Sequence, residues 1–140
     1  MRVMVMVKAT KDSEAGVMPS QEAMDEWGKY NQELVKNGIL LAAEGLQPSS
    51  KGVRVRFSGT KWAVVDGPFT ETKELVAGFS ILQVKSKEEA IEWVKRCPNP
   101  MPGDSEIEIR QVLEAEDFGP GITPEAGRVE ERPPAKLATS

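Results

Sequence analysis

Short stretches with the apolar pattern of β-strands recur along the chain. The first, residues 2–8, has valines at alternate positions and methionines between them, so both faces of the predicted strand are apolar. Such a strand needs cover on both sides, which predicts a central place in a sheet. Further strands are predicted at residues 39–46, 77–84 and 105–112.

Two other stretches have the three-to-four spacing of apolar residues that is typical of an amphipathic helix. The first helix follows a polar loop over residues 10–18 and is predicted to begin after Ser20 and to end at Gly38. The second begins after Ser86, in a capping-box pattern, and ends at Cys97. The apolar stripe of the first helix is interpreted as core rather than as a ligand-binding aromatic box; it consists of Met24, Trp27, Tyr30, Leu34 and Val35.

A β-hairpin is predicted in the middle of the chain. Residues 53–57 and 61–65 both alternate, and Ser58-Gly59-Thr60 supplies a turn between them. Without this hairpin, the order of elements is strand, helix, strand, strand, helix, strand. The sequence therefore predicts an α+β fold of the ferredoxin-like βαββαβ type with an inserted hairpin.

Two helices on one side of a four-stranded sheet leave the other side of the sheet bare. The apolar strand residues that are not all placed to face the helices are Met4, Met6, Leu82 and Val84. Because a bare apolar face favours association, we expect a homodimer in which two open sheet faces pack together.

The 140 residues are expected to form one domain over residues 1–114. Residues 115–140 are rich in Pro, Gly, Glu and small residues and have no periodicity, which predicts an extended or mobile tail. An arm that wraps a partner subunit is the alternative for this segment.

The composition excludes several classes of protein. The chain has no histidine and one cysteine, so Ser-His-Asp and Cys-His triads are impossible and no metal site is expected. No glycine-rich phosphate loop is present, and no cofactor is expected. The net charge of −4 without clustered Lys or Arg argues against nucleic acid as a partner. With no long apolar run or signal-like segment, we expect no membrane contact and a cytoplasmic location.

The stretch DGPFTETKE, residues 66–74, connects the hairpin to the next strand. With it, the chain resembles the YCII-related family, in the branch named for its DGPF motif. The resemblance continues, in order, through GILLAAEGLQPS (38–49), VRFSGTKWAVVDGPFTETKELVAGFSI (55–81), SKEEAIEWVKRCP (86–98) and EIEIRQV (106–112). It covers about residues 1–114.

The resemblance implies a dimeric α/β-barrel-like fold built from ferredoxin-like subunits. It also implies a small-molecule enzyme in which an aspartate at the place of Asp66 acts with a histidine in a pocket. This chain retains Asp66 but lacks histidine, so that pair is impossible here. Proteins resembling this one are sometimes associated with extracytoplasmic-type sigma factors, which implies a regulatory role through a partner as an alternative.

Charged residues around the DGPF motif are the candidates for a site. Asp66 is the candidate base, since desolvation can raise the pKa of a carboxylate into a useful range, and Glu71 and Lys73 lie a turn away. Arg110 is the candidate substrate anchor, because a guanidinium binds carboxylates well and its place resembles the family's EVRP-like motif. Glu44, in an apolar strand, needs a partner or a cavity and is a further substrate-binding candidate.

Two interpretations of the motif remain open. In the first, it borders a pocket between two sheets, where an enzyme performs acid–base chemistry on a small organic acid or phenol, or a non-catalytic module senses a small ligand. In the second, Asp-Gly-Pro is only a turn, in which Asp66 accepts backbone N–H bonds and Phe69 packs into the core.

Overall fold

The computed structural model describes residues 1–119, which form a four-stranded sheet, a separate hairpin and two longer helices. Within this range, the strands are β1 (Arg2–Lys8), β2 (Leu40–Gly45), β3 (Val53–Ser58), β4 (Lys61–Asp66), β5 (Val76–Gln83) and β6 (Ile107–Gln111). The helices are α1 (Lys11–Glu14), α2 (Gln21–Lys36) and α3 (Lys87–Lys95). Of the predicted tail, Ala115–Phe118 form a 3₁₀ helix, and the part beyond residue 119 lies outside the described residues.

The four-stranded sheet of the described chain has the order β2-β5-β1-β6, and all of its neighbouring strands are antiparallel. Together with α2 and α3, this is the ferredoxin-like topology. The predicted α+β fold with an inserted hairpin is therefore confirmed. The first strand, β1, is central as expected, because it pairs with β5 on one side and β6 on the other.

The core lies between the sheet and the two longer helices. Val3 of β1 and Leu82 of β5 are register partners. They share a buried cluster with Leu34 of α2 and Ala90 of α3. Leu82 is 1% exposed and Val84 is 3% exposed, so neither belongs to a bare sheet face. The expectation that placed them there is wrong, because the alternation of side chains along β5 turns Leu82 toward the helices.

The opposite face of the sheet carries a partly exposed apolar strip. Met4 pairs with Ile81 and Met6 pairs with Phe79 across β1 and β5, and all four residues are partly exposed. Because successive residues of a strand point to opposite faces, these four lie on the side away from the core. We call this surface of Met4, Met6, Phe79 and Ile81 the open face.

The longer helices begin at the predicted capping residues. The Ser20 hydroxyl accepts a backbone N–H of the first turn of α2 at 3.1 Å, and Gly38, with a φ of 71°, follows the end of that helix. Ser86 caps α3 in the same way. The Glu89 carboxylate accepts the N–H of Lys85 at 2.9 Å, one residue before the position that a capping box would use.

The short helix α1 lies inside the segment that was predicted as a polar loop. The Thr10 hydroxyl accepts the Ser13 N–H at 3.2 Å, and the Ser13 hydroxyl accepts the Thr10 N–H at 2.9 Å. This reciprocal cap supports a single helical turn, so the loop prediction is wrong for residues 11–14. The turn ends at Glu14, which reaches a distant part of the chain.

The hairpin of β3 and β4 forms a two-stranded sheet of its own, as predicted. Its register pairs Phe57 with Trp62 and Val55 with Val64, and Gly59 in the turn has a φ of 62°. Every residue from 51 to 64 is exposed. The hairpin therefore projects from the body of the domain.

An ion pair ties the first strand to the end of the domain. Arg2 donates to both carboxylate oxygens of Glu114, at 2.9 and 3.2 Å. These hydrogen bonds lower the pKa of Glu114, although partial desolvation opposes the effect. The segment after β6 is thereby fastened to β1.

Candidate functional site

A cavity of about 530 Å³ lies between the longer helices and the sheet, within the usual size range of small-molecule sites. From α2, its wall includes Met24, Trp27, Tyr30 and Asn31. From the sheet, it includes Val5, Val7, Ala43, Gly78, Ser80 and Leu82. From α3 and the segment after it, it includes Val94, Cys97, Pro100 and Met101.

The cavity forms where the apolar stripe of α2 meets small residues of the sheet. Leu34 of the stripe is buried, but Trp27 and Tyr30 are only half-buried and Met24 is 43% exposed. The small residues that line the cavity from β2 and β5 are Ala43, Gly78 and Ser80. The interpretation of the stripe as core thus holds for Leu34, whereas its aromatic residues form the wall of a cavity.

Tyr30 is held in this wall by two contacts. Its hydroxyl donates a hydrogen bond to the carbonyl oxygen of Trp93 at 2.7 Å, and its ring meets Trp27 edge to face with centroids 5.4 Å apart. Burial raises the pKa of Tyr30, and Cys97 adds to this rise, whereas Arg96 lowers it. The phenol therefore stays protonated near neutral pH.

The remaining polar groups of the wall are mostly neutral. Burial raises the pKa of the Cys97 thiol, so it is a poor nucleophile near neutral pH. Within residues 1–119, the side chains of Ser80 and Asn31 form no hydrogen bond to the protein. Glu44, an exposed residue at the end of β2, is the only charged residue among the described lining residues. The wall therefore offers hydrogen bonds but no cation.

The DGPF motif lies elsewhere, at the corner between β4 and β5, and it is fastened to the turn at Ser49. The Ser49 hydroxyl accepts the Phe69 N–H at 2.9 Å, and Gly67 donates its N–H to the Gly52 carbonyl at 3.0 Å. Glu14 accepts hydrogen bonds from both the hydroxyl and the N–H of Ser49. A Cβ on Gly67 would lie 1.8 Å from the Ser49 carbonyl oxygen, so this close approach requires glycine.

The turn interpretation is thus only partly right. Asp66 is exposed, and its carboxylate accepts no hydrogen bond within the described chain, because Ser49 takes the role that was expected of it. Phe69 is half-buried beneath the Arg54 guanidinium, which lies 3.7 Å from the ring centroid, and it is not part of the buried core cluster. The expectations for Asp66 as a cap and for Phe69 as a core residue are therefore wrong.

The predicted site residues are dispersed over the subunit. Asp66, Glu71 and Lys73 are exposed around the corner. Arg110 is exposed on β6 and lies 3.9 Å from Glu108. Glu44 lies on β2, at the opposite edge of the sheet. Within one subunit, the cavity includes Glu44 but none of the other four.

A second and smaller cleft, of about 330 Å³, includes one of these residues. Lys73 borders it together with Lys8, Lys11, Asp104 and Glu106. Lys8 lies 3.7 Å from Glu108 and is partly neutralised by it. With both signs of charge in its wall, this cleft has no clear preference for one class of ligand.

The sequence patterns did not identify the residues that hold the corner at the DGPF motif, or the cavity itself. Ser49 and Glu14 are far from the motif along the chain, and no local pattern points to their contact with it. The sequence contained one weak indication of the cavity, since small residues interrupt two otherwise apolar strands at Ala43, Gly78 and Ser80.

In the described residues there is no cluster of three or more His, Cys, Asp or Glu side chains that could hold a metal ion. Nor does any helix of residues 1–119 have the length and apolar character needed to span a membrane.

Comparisons with known proteins identify the family. A sequence model of the YCII-related domain matches residues 1–116. An uncharacterized protein of Rhizobium meliloti (strain 1021) is 29% identical over 92 residues, which cover 66% of this chain and 74% of the relative.

Among solved structures, a similar chain is 5-chloro-2-hydroxyhydroquinone dehydrochlorinase from Burkholderia phenoliruptrix AC1100, in complex with 2,5-dihydroxybenzoquinone. The TM-score is 0.44 at 14% identity, and the match covers 81% of this chain and 95% of that one. The domain match alone spans most of the chain, and this protein therefore belongs to the YCII-related family.

Proposed function

We propose that this protein binds a small, neutral aromatic molecule, such as a phenol, in the cavity between the longer helices and the sheet. The observation that carries the proposal is a cavity of about 530 Å³ with Trp27 and Tyr30 in a largely apolar wall. Apolar and aromatic walls supply affinity for such ligands, and a few polar groups orient them. Ser80 and Asn31, whose side chains bond to no other group of the described chain, are suited to that second task.

The charge of the wall favours a neutral ligand over an acid. No lysine or arginine is among the described lining residues, and the one charged residue among them, Glu44, is negative. An anion that entered would lose hydration without gaining a cationic partner, which is costly in an apolar cavity. Of the two ligand classes expected from the sequence, a phenol therefore fits better than a small organic acid.

Binding without catalysis is the role that the cavity supports best. A general base needs a pKa near the working pH, and the raised pKa values of Tyr30 and Cys97 place both groups in their protonated forms. The protein would then sense or sequester its ligand, and any downstream effect would pass through another molecule.

An enzyme that uses Asp66 as base is the second candidate. It is supported by the exposed Asp66 carboxylate, which has no partner within residues 1–119 and is accessible to a substrate. Because Asp66 does not border the cavity, such a reaction would use a different site, with Arg110, Glu71 and Lys73 as candidates for holding substrate. Under this alternative, Asp66→Asn abolishes turnover and leaves binding in the cavity unchanged.

A homodimer joined through the open face completes the proposal. Its support is the partly exposed strip of Met4, Met6, Phe79 and Ile81, which a second sheet would remove from water. In such a dimer, the cavities of the two subunits lie on the outer sides of the paired sheets, because each cavity is on the helix side of its own sheet.

A pair of matched probes tests the proposed ligand class. We expect 1-naphthol to bind at least about tenfold more tightly than 1-naphthoate, since the two share a ring system and differ in charge. Ala43→Leu fills part of the cavity and should weaken naphthol binding, whereas Ala63→Leu, the same change at an exposed strand position, should not. Calorimetric titration measures all four affinities. Equal binding of both probes, or equal effects of both variants, would contradict the proposal.

A further inference from the structure

We propose that the hairpin is an arm that packs its apolar face on a second copy of this chain. The arm comprises residues 51–66, with β3 and β4 as its two strands. This inference is independent of the cavity, and it adds a second contact surface to the dimer proposed through the open face.

One face of the arm is wholly apolar except at its base. The residues on this face are Val53, Val55, Phe57, Trp62 and Val64. Phe57 and Trp62 face each other near the tip and are 76% and 67% exposed. Aromatic side chains of this kind dominate the energetics of protein interfaces, so their exposure marks a contact surface.

The other face of the arm is suited to water. Arg54, Arg56 and Lys61 alternate with the apolar residues, and all three are exposed. The hairpin is therefore amphipathic in the same sense as a strand at the surface of a core. Its apolar face has no core to pack on in its own subunit, since no residue from 51 to 64 is buried there.

An isolated two-stranded hairpin is marginally stable in water and gains stability by packing its apolar face on another surface. The exposed apolar face of the arm amounts to roughly 500 Å², near the upper end of patches found on ordinary monomers. The apolar face of the arm is therefore expected to be covered by a partner surface.

The area and shape of the arm indicate a second copy as the partner. A stable interface buries about 800 Å² per partner, more than one arm can provide. In a two-fold dimer, each subunit buries its own arm and also the surface covered by the other arm, so the area is counted twice per subunit. Strands of six residues reach about 20 Å, enough for the arm to extend beyond its own subunit onto the side of a partner.

Charge supports the same partner. Lys51, Arg54, Arg56 and Lys61 make the arm basic, with Asp66 as its one acidic residue, whereas the whole chain has a net charge of −4. The remainder of a second copy is therefore acidic. The basic side chains point to the water side of the packed arm, so their contribution is a long-range attraction that favours encounter of the two copies.

The double variant Phe57→Ser/Trp62→Ser tests the arm. We expect sedimentation equilibrium to show a dimer for the wild type and a dissociation constant about 30-fold higher or more for this variant. The control is Arg56→Lys/Ala63→Ser, which alters a neighbouring cross-strand pair on the other face while keeping its charge, and should leave the dissociation constant unchanged.

A milder variant distinguishes loss of the contact from unfolding of the hairpin. Val55→Thr/Val64→Thr keeps β-branched residues in both strands and should weaken the dimer in the same direction, by a smaller factor. A monomeric wild type would overturn the inference. So would equal effects on the dissociation constant of Phe57→Ser/Trp62→Ser and of the control on the other face of the arm. Neither result bears on naphthol binding, so failure of the arm and failure of the cavity proposal can be told apart.

Discussion

At the corner after the hairpin, a serine from a distant turn holds the backbone of the DGPF motif. Ser49 accepts the Phe69 N–H and is itself held by Glu14. Gly67 lies so close to the Ser49 carbonyl that no side chain fits between them. The corner thus depends on groups that contact the motif, more than on the charged side chains within it.

The contrast between Ser49 and Asp66 leads to a prediction at the scale of single residues. Ser49→Ala removes the acceptor of the Phe69 N–H and one of the two hydrogen bonds to Glu14, and should lower the free energy of unfolding by about 1–2 kcal/mol. Asp66→Asn, at an exposed carboxylate without a partner in the described chain, should change it by less than about 0.5 kcal/mol. Urea denaturation of both variants provides the comparison. A larger loss of unfolding free energy for Asp66→Asn than for Ser49→Ala would show that Asp66, and not Ser49, supports the corner.

At the scale of elements, α2 and α3 border a cavity and are connected beside it by a hydrogen bond from the half-buried phenol of Tyr30. Tyr30 of α2 donates to the Trp93 carbonyl of α3, and its ring also borders the cavity. The helices are therefore held together beside an open space. The hairpin differs from both helices, because it meets solvent on both of its faces.

The raised pKa of Tyr30 predicts a loss of stability at alkaline pH. The unfolded chain ionises its tyrosine near pH 10, whereas the folded protein keeps Tyr30 protonated, so stability is complete below about pH 10 and falls as the pH rises further. Tyr30→Phe should show a shallower decline above this pH, although it loses one hydrogen bond of about 1 kcal/mol at every pH.

Tyr30 is the only tyrosine of the chain, so tyrosinate absorbance near 295 nm reports this residue alone. We expect absorbance to rise at higher pH in the folded protein than in urea-unfolded protein. Coincident titration curves would show that the phenol is not held in its protonated form by the fold.

At the scale of the whole molecule, one subunit leaves two apolar surfaces uncovered. These are the open face and the apolar face of the arm. The cavity lies on the helix side of the sheet, and of the residues that form these two surfaces only Phe79 is also among its lining residues. Assembly and ligand binding are therefore predicted to be separable properties of this fold.

The open face can be tested with a substitution that spares the core. Met4→Lys should dissociate the proposed dimer while the monomer stays folded, because a lysine at a partly exposed site keeps its charge in water once the partner leaves. Val35→Lys, on the exposed side of α2, is the matched control and should leave the dimer intact. Light scattering gives the masses. A folded Met4→Lys protein with the mass of a dimer would exclude the open face as the interface.

Much of the fold follows from local sequence patterns. The two apolar faces of residues 2–8 place that strand centrally, and Ser20, Gly38 and Ser86 mark helix boundaries by hydrogen bonds and backbone preferences that act within a few residues. The reciprocal cap that forms α1 is equally local, but its Thr-Ser pair resembles an ordinary polar loop. For this reason, its helical turn was not expected.

Local sequence patterns specify the strands, the two longer helices, their order and the amphipathic character of the hairpin, because periodicity and capping act over short distances. Packing between distant segments places Leu82 in the core, makes Ser49 rather than Asp66 the support of the corner, and puts Trp27 and Tyr30 in the wall of a cavity. These outcomes depend on which residues meet across the fold. A strand's alternation shows two faces without showing which one the helices cover, and a stripe on a helix does not reveal the size of the residues opposite it.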